Sequence, residues 1–265
     1  MIEEEKIERL MYSYDDWNTV AKGKTPNYFF QIEKNGQALH YFGTTHSRDI
    51  TNPQYGAIRE HWQEFLKRGY GTNAVAIVEG GVRTVHESEE VAVEKDQDPG
   101  FITFLAAQAS VPAFSPEPSR EAVCTFVSKK TSEEALDCYY LARIAHAWHG
   151  RKEPKPPLER YLIRNAPARF VSEGDEAFSF TEANRIWQKI LGRPFDREGI
   201  EFLALLINPT KAENPLRDTV RATSTYRNIH IVQEIVRLYK EGKNIFVVYG
   251  GAHAILQEPA LRELL

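Results

Sequence analysis

Short apolar runs bounded by turn residues alternate along this chain with stretches whose apolar residues recur every three to four positions. Residues 28–34 and 37–42 flank Asn35–Gly36. That pair supplies the positive φ angles of a type I′ turn and predicts a β-hairpin. Residues 73–78 form a run suited to a strand covered on both faces, and 111–114 and 244–249 are further strands. Helical spacing fills the gaps between them. Asn52–Pro53 reads as an N-cap with proline at the first helical position, and the helix it starts carries Ile58, Trp62, Phe65 and Leu66 on one side until Gly69. Pro99 opens a helical stretch over 101–109. A capping box at Thr131 and Glu134 starts a helix running to about Trp148. The pattern stays helical over 158–171, 181–191, 199–207 and 226–241, with a short last helix over 259–265. An N-terminal helix packing Tyr12, Tyr14 and Trp17 completes the reading.

The order is a hairpin, then α, β, α, β, a long helical middle, and a final α and β. This predicts an α/β fold of the mixed α+β kind. It has a central mixed sheet, an N-terminal β-hairpin, flanking helices and a long helical insertion over 119–224, all within one domain of 1–265. Composition changes little in that picture. Of 265 residues, 42% are hydrophobic and 26% charged, which suits a globular protein. A net charge of −4 gives no reason to expect nucleic acid or an anionic membrane as partner. Two cysteines, Cys124 and Cys138, make no disulfide framework. The acidic N-terminus does not read as a secretory signal, and no apolar run approaches the ~20 residues that span a bilayer. The expectation is a soluble cytoplasmic protein.

Two strand ends repeat one pattern: Gly43-Thr44-Thr45-His46 and Gly250-Gly251-Ala252-His253. A glycine is expected to turn the backbone sharply there, leaving each histidine beyond the C-terminal edge of the sheet, where open α/β sheets bind ligands. Glu79, followed by Gly80–Gly81, and Glu117, held between Pro116 and Pro118, end two other strands. If the strands run parallel in one sheet, all four groups converge. Imidazole and carboxylate are the usual ligands of a divalent metal that keeps an open position for water, so His46, Glu79 and His253 form a candidate metal set. The same groups also suit metal-free chemistry, with a histidine as general base oriented by a glutamate. Arg227, with Asn228, is expected in the first turn of its helix, where a cation opposes the helix dipole unless an anionic partner holds it. Arg217, Asp218 and Arg221 are expected in a loop upstream. His146 and His149 have i,i+3 spacing without a carboxylate, and His61 with Glu64 and His230 with Glu234 read as surface pairs. No Walker loop, dinucleotide fingerprint, His-Glu-x-x-His or Gly-x-Ser-x-Gly occurs.

Taken together, the two Gly-x-x-His motifs, Val78–Glu79–Gly80 and Arg227–Asn228 resemble the TraB/PrgY/Tiki superfamily, related to the erythromycin esterase-like and ChaN-like proteins. The likeness covers roughly residues 37–81 and 225–253, and nothing in the middle third. It implies an α/β core whose site joins His46, His253 and Glu79, with Arg227 steadying substrate or oxyanion. Glu117, outside the motifs that carry the likeness, is expected to be a supporting or acid/base group of that site. It further implies a hydrolase of a peptide, amide or ester bond acting on a small-molecule or peptide substrate. A divalent metal (Mn, Co or Zn) would serve the Tiki-like case, none the esterase-like case, and a ChaN-like protein would instead bind haem or another small ligand. The membrane tail of TraB and the extracellular setting of Tiki have no counterpart here.

Overall fold

A computed structural model describes residues 2–24, 27–151, 153–165, 179–195 and 199–265. The chain is a mixed α/β protein that divides into two compact units, 1–118 with 227–265, and 119–226. In the first unit, α1 (Glu4–Leu10) and α2 (Trp17–Val20) precede the hairpin of β1 (Phe29–Lys34) and β2 (Gln37–Thr44). Asn35 and Gly36 both have positive φ, as the turn type demands. Then come α3 (Pro53–Lys67), β3 (Ala74–Val78), α4 (Glu89–Gln108) and the two-residue β4 (Ala113–Phe114), shorter than its apolar run suggests. The long helix α10 (Arg217–Lys240), β5 (Asn244–Gly250) and α11 (Gly251–Leu264) close the chain.

The five strands lie in the order β1-β2-β5-β3-β4, with β1 antiparallel and the rest parallel. The C-terminal ends of β2, β3, β4 and β5 therefore share one edge. Alternation divides the side chains between two faces. Ala38, Phe42, Ala76, Val78, Phe246 and Val248 pack with Ile58, Trp62 and Phe65 of α3 and Phe101 and Ile102 of α4. On the opposite face Tyr41 bonds Gln257 of α11 and Gly43 meets the Gly251 backbone. Strand β5, at the centre, is buried throughout.

The second unit holds α5 (Arg120–Val127), α6 (Glu133–His149), α7 (Leu158–Asn165), α8 (Phe180–Leu191) and α9 (Ile200–Leu206). Its core includes Leu136, Leu141, Leu162, Ile186, Trp187 and Leu203, all buried. The expected continuation of α7 over 166–171 lies outside the described residues.

Several expectations are corrected. The cap of α6 is Ser132, whose side chain accepts from the Ala135 N–H, rather than Thr131. Helix α4 begins at Glu89, capped by Ser88, and kinks at Gln97 before Pro99, so a whole segment precedes the proline. Helix α10 begins at Arg217, so Arg227 sits well inside it, and the dipole argument for Arg227 falls. Arg217, Asp218 and Arg221 are helical rather than in a loop, and all three belong to the second unit. The last helix begins at Gly251, which puts His253 in its first turn. His61 stacks on Phe29 with centroids 3.7 Å apart, while Glu64 pairs with Arg68.

Candidate active site

All five candidate residues meet, within the first unit. The His46 Nε2 lies 3.4 Å from Oε2 of Glu79, and the His253 Nε2 lies 3.5 Å from its Oε1. The same Oε1 accepts from the Arg227 Nη2 at 3.2 Å. Arg227 then grips Glu117 with two donors, Nη2 to Oε1 at 2.7 Å and Nε to Oε2 at 2.9 Å. This fork matches a carboxylate plane and is the stronger kind of charge-assisted pair. Glu117 Oε1 also accepts from the Gly80 N–H (3.0 Å) and the Tyr249 hydroxyl (3.2 Å). With its lone pairs so engaged, Glu117 works as an anchor for Arg227.

The glycines act differently from expectation. Neither Gly43 nor Gly250 has a positive φ. Their role is clearance. A Cβ on Gly43 would come within 2.8 Å of the Gly251 Cα, and one on Gly250 within 2.9 Å of the His46 Nε2. The backbone N–H of Gly250 donates to Glu79 Oε2 at 2.8 Å, fixing the carboxylate between the two rings. Positive φ is needed instead at Gly80 and Gly81, where the chain folds back under the Arg83 guanidinium. His46 itself has φ 55, and Gln97, whose side-chain amide donates to the His46 carbonyl, has φ 58 and ψ −146. Such conformations cost about 1–3 kcal/mol each and collect at functional sites.

The sequence pattern assigns no outer partner to either ring: Asp98 goes unassigned, and Asn228 is marked only as the neighbour of Arg227. His46 Nδ1 bonds Oδ1 of Asp98 at 3.0 Å, and Thr44 donates to Oδ2 at 2.8 Å. Asp98 is wholly buried. The Asp98–Pro99 pair repeats the polar-residue-then-proline signal of Asn52–Pro53, so a signal for it existed. His253 Nδ1 is 2.6 Å from Asn228 Oδ1, which also accepts from Gln257 Nε2 at 2.7 Å, while Tyr41 donates to Gln257 Oε1 at 2.9 Å. With Oδ1 of Asn228 as acceptor, Nδ1 of His253 must carry a proton. Its Nε2 then faces a donor, Arg227 Nη1 at 3.5 Å, as well as Glu79.

Charge is strongly correlated here. Burial disfavours the His46 imidazolium, but the hydrogen bond and charge of Asp98, helped by Glu79, outweigh that and the opposing Arg227, and the pKa rises to about 9. At neutral pH the ring carries its proton. Burial pushes the Glu79 carboxyl up, yet His253, Arg227 and His46 together hold it well below the ordinary range. Glu117 is lowered too, its burial outweighed by Arg227 and the Gly80 N–H. Burial opposes the Arg227 charge, but Glu117 and Glu79 raise its pKa still further.

Among the described residues no group of three or more His, Cys, Asp or Glu side chains is arranged to hold a metal ion. The expected set of His46, Glu79 and His253 is drawn together, but around a cation already there. Arg227 takes a Glu79 oxygen, and like charges within a few ångströms in a buried site repel by several kcal/mol. With the guanidinium in place, the donor set does not fit a divalent ion. No protein-family model, curated protein or solved structure matches the chain.

Proposed function

We propose that the protein is a hydrolase of a carboxylic ester, amide or peptide bond working by acid–base catalysis at the His46–Glu79–His253 centre. The observation that carries this reading is the convergence of both histidine Nε2 atoms on one carboxylate, each ring anchored at Nδ1 by a buried partner. Two histidines in different electrostatic settings are suited to divide acid and base roles. His46, protonated at neutral pH, donates from Nε2 to the leaving oxygen or nitrogen. In its neutral form, with the proton on Nδ1 towards Asn228, His253 accepts the proton of the attacking water at Nε2, and Glu79 steadies the charge it then carries. The carbonyl carbon gains the water oxygen and loses the leaving group, giving a carboxylic acid and an alcohol or amine. Arg227 faces the charge that develops on the carbonyl oxygen, and Glu117 holds it there. The resemblance to the esterase-like branch of the TraB/PrgY/Tiki superfamily is consistent with this assignment, and the substrate it implies is a small molecule or peptide.

The metal-dependent reading has one observation in its favour, because a ring anchored at Nδ1 with Nε2 turned towards a shared carboxylate is how metal-ligating histidines are oriented. It requires Arg227 to release Glu79. Turnover of p-nitrophenyl esters and of a fluorogenic peptide library, before and after exhaustive chelation, separates the two. The expected result is activity that survives chelation and is lost in His46→Ala, His253→Ala and Glu79→Gln proteins that remain folded by circular dichroism. Activity lost on chelation and restored by stoichiometric Mn, Co or Zn would establish the metal reading. Full activity in any of the three variants would remove the site assignment itself.

A further inference from the structure

A concave site lies in the helical unit, lined by none of the residues of the centre above. Arg151, Pro156, Arg160, Tyr161, Arg164 and Asn165 line a cavity of about 420 Å³. That is within the ~300–1,000 Å³ usual for small-ligand sites. The sequence accounts for its charge. Residues 151–165 hold five Lys or Arg and two Glu, in a chain whose net charge is −4. Helix α7 buries Leu158 and Leu162 and so turns Arg160 and Arg164, one turn apart, to its opposite side. Arg151 joins them from beyond the end of α6, its guanidinium 5.3 Å from the centre of the Tyr161 ring. The wall between is firmly built: the Trp148 indole donates to the Pro156 carbonyl at 2.7 Å, and Lys155 donates to the His149 carbonyl at 2.9 Å.

None of the three arginines has a carboxylate partner among the described residues, whereas Arg68, Arg185, Arg237 and Arg262 each do. A lone exposed arginine needs no explanation. Three guanidinium groups that line one cavity repel each other, and among the described residues their N–H donors meet no carboxylate. We propose that this cavity binds a compact polyanion of the phosphate or diphosphate class, such as a phosphorylated small molecule. A planar carboxylate satisfies one guanidinium fork. A tetrahedral phosphate presents acceptors in several directions and so suits donors arriving from three. The Tyr161 ring adds a flat wall for the organic part of the ligand.

The test is calorimetric titration and thermal unfolding of the full chain with inorganic pyrophosphate, inorganic phosphate and citrate at constant ionic strength. Pyrophosphate should bind saturably at sub-millimolar concentration and raise the melting temperature, with citrate weaker. Arg160→Gln/Arg164→Gln, at exposed positions, should weaken pyrophosphate by about tenfold or more, while Arg185→Gln leaves it unchanged. Arg151→Gln, tested alone, guards against a folding defect in the double variant. No saturable pyrophosphate binding, binding indifferent to these arginines, or tighter arginine-dependent binding of a single-stranded RNA would each overturn the proposal. Because hydrolase activity is not read, failure here leaves the acid–base centre untouched, and the reverse holds too.

Discussion

Strand β2 carries His40 in its middle and delivers His46 just past its end, and the two rings sit in opposite surroundings. His40 is buried among Phe29, Phe65, Tyr70 and Phe246. Neither of its nitrogens has a hydrogen-bond partner among the described residues. The nearest carboxylate oxygen, on Glu33, is 3.7 Å from Nε2, too far for one. Burial lowers its pKa to about 4 despite Glu33. His46, far less enclosed with its side chain 42% exposed, moves to about 9 because Asp98 and Glu79 reach it. One residue type on one strand is therefore neutral at one point and charged at the other. Within the sheet, backbone groups pair with one another, and the His40 ring packs chiefly against aromatic neighbours. Beyond the shared C-terminal edge of four parallel strands, loops and helix ends bring ionisable groups together. Desolvation is common to both places, and only the second supplies the partners that turn it into chemistry.

The charged end breaks most severely at Arg227. Arg227→Leu leaves Glu79 and Glu117 facing each other without their common cation, and the about 3–5 kcal/mol lost when one member of a fully buried ion network is removed is the upper bound for side chains still 16–23% exposed. Urea denaturation at neutral pH measures it. Arg227→Lys should recover only part, since a single ammonium cannot reproduce the two-donor fork on Glu117. A loss below about 1 kcal/mol, the worth of an exposed pair, would mean that the cluster is solvated and the comparison with His40 misplaced.

The apolar end is tested by acid. A histidine whose folded pKa lies below its unfolded value contributes no penalty above pH 6.5 and destabilises progressively as pH falls toward 4. At about 1.4 kcal/mol per unit, the full penalty is roughly 3 kcal/mol. His40→Phe should erase that part of the acid limb of the stability curve, leaving the part owed to Glu79 and Glu117, whose lowered values act below about pH 4.5. An unchanged acid limb would show that His40 is hydrated in solution.

How much of this contrast was legible beforehand follows the same division. The strands themselves and the meeting of His46, Glu79, Glu117 and His253 follow from apolar runs that each end in a polar residue, because parallel neighbours bring such ends to one edge; the order β1-β2-β5-β3-β4 is not in that pattern. The partners are another matter. Asp98 lies at a kink between two helical segments, and Asn228 and Gln257 sit on helices whose polar residues look alike in sequence. Which of them turns inward depends on how α10 and α11 pack, a tertiary fact that local periodicity does not carry. The start of α10 escapes the sequence pattern for a related reason. Its first part, Arg217 to Tyr226, is polar and poor in periodic apolar residues, yet Val220 and Ala222 are buried in the second unit. His40 gave no signal of its own, because a histidine in an apolar run reads the same whether or not its nitrogens find partners.

The amide relay behind His253 sharpens the comparison at smaller scale. Gln257→Leu deprives the Tyr41 hydroxyl of its acceptor and Asn228 of one donor, all of them buried. The expected cost is about 1–3 kcal/mol. A hydrolase with His253 as base should also lose kcat with little change in KM, since the ring is then free to turn. Equal losses in both would make the relay merely structural.

The smallest effect on stability, and the most direct on charge, is expected from Asp98→Asn. The raised pKa of His46 contributes stability that is fully present below about pH 6.5 and lost as pH rises through about 9. Because the ring is 42% exposed, solvent screens much of that contribution. The asparagine keeps a hydrogen-bond acceptor for Nδ1 and removes the charge, leaving burial with only Glu79 to oppose it. The His46 Cε1–H resonance should then titrate at a lower pH than in the parent chain. If His46 is the proton donor, the alkaline limb of the pH–rate profile should move down by the same amount. A ring that moves while the limb stays fixed would transfer the donor role to another group. A ring that does not move would mean that Asp98 is not what charges it.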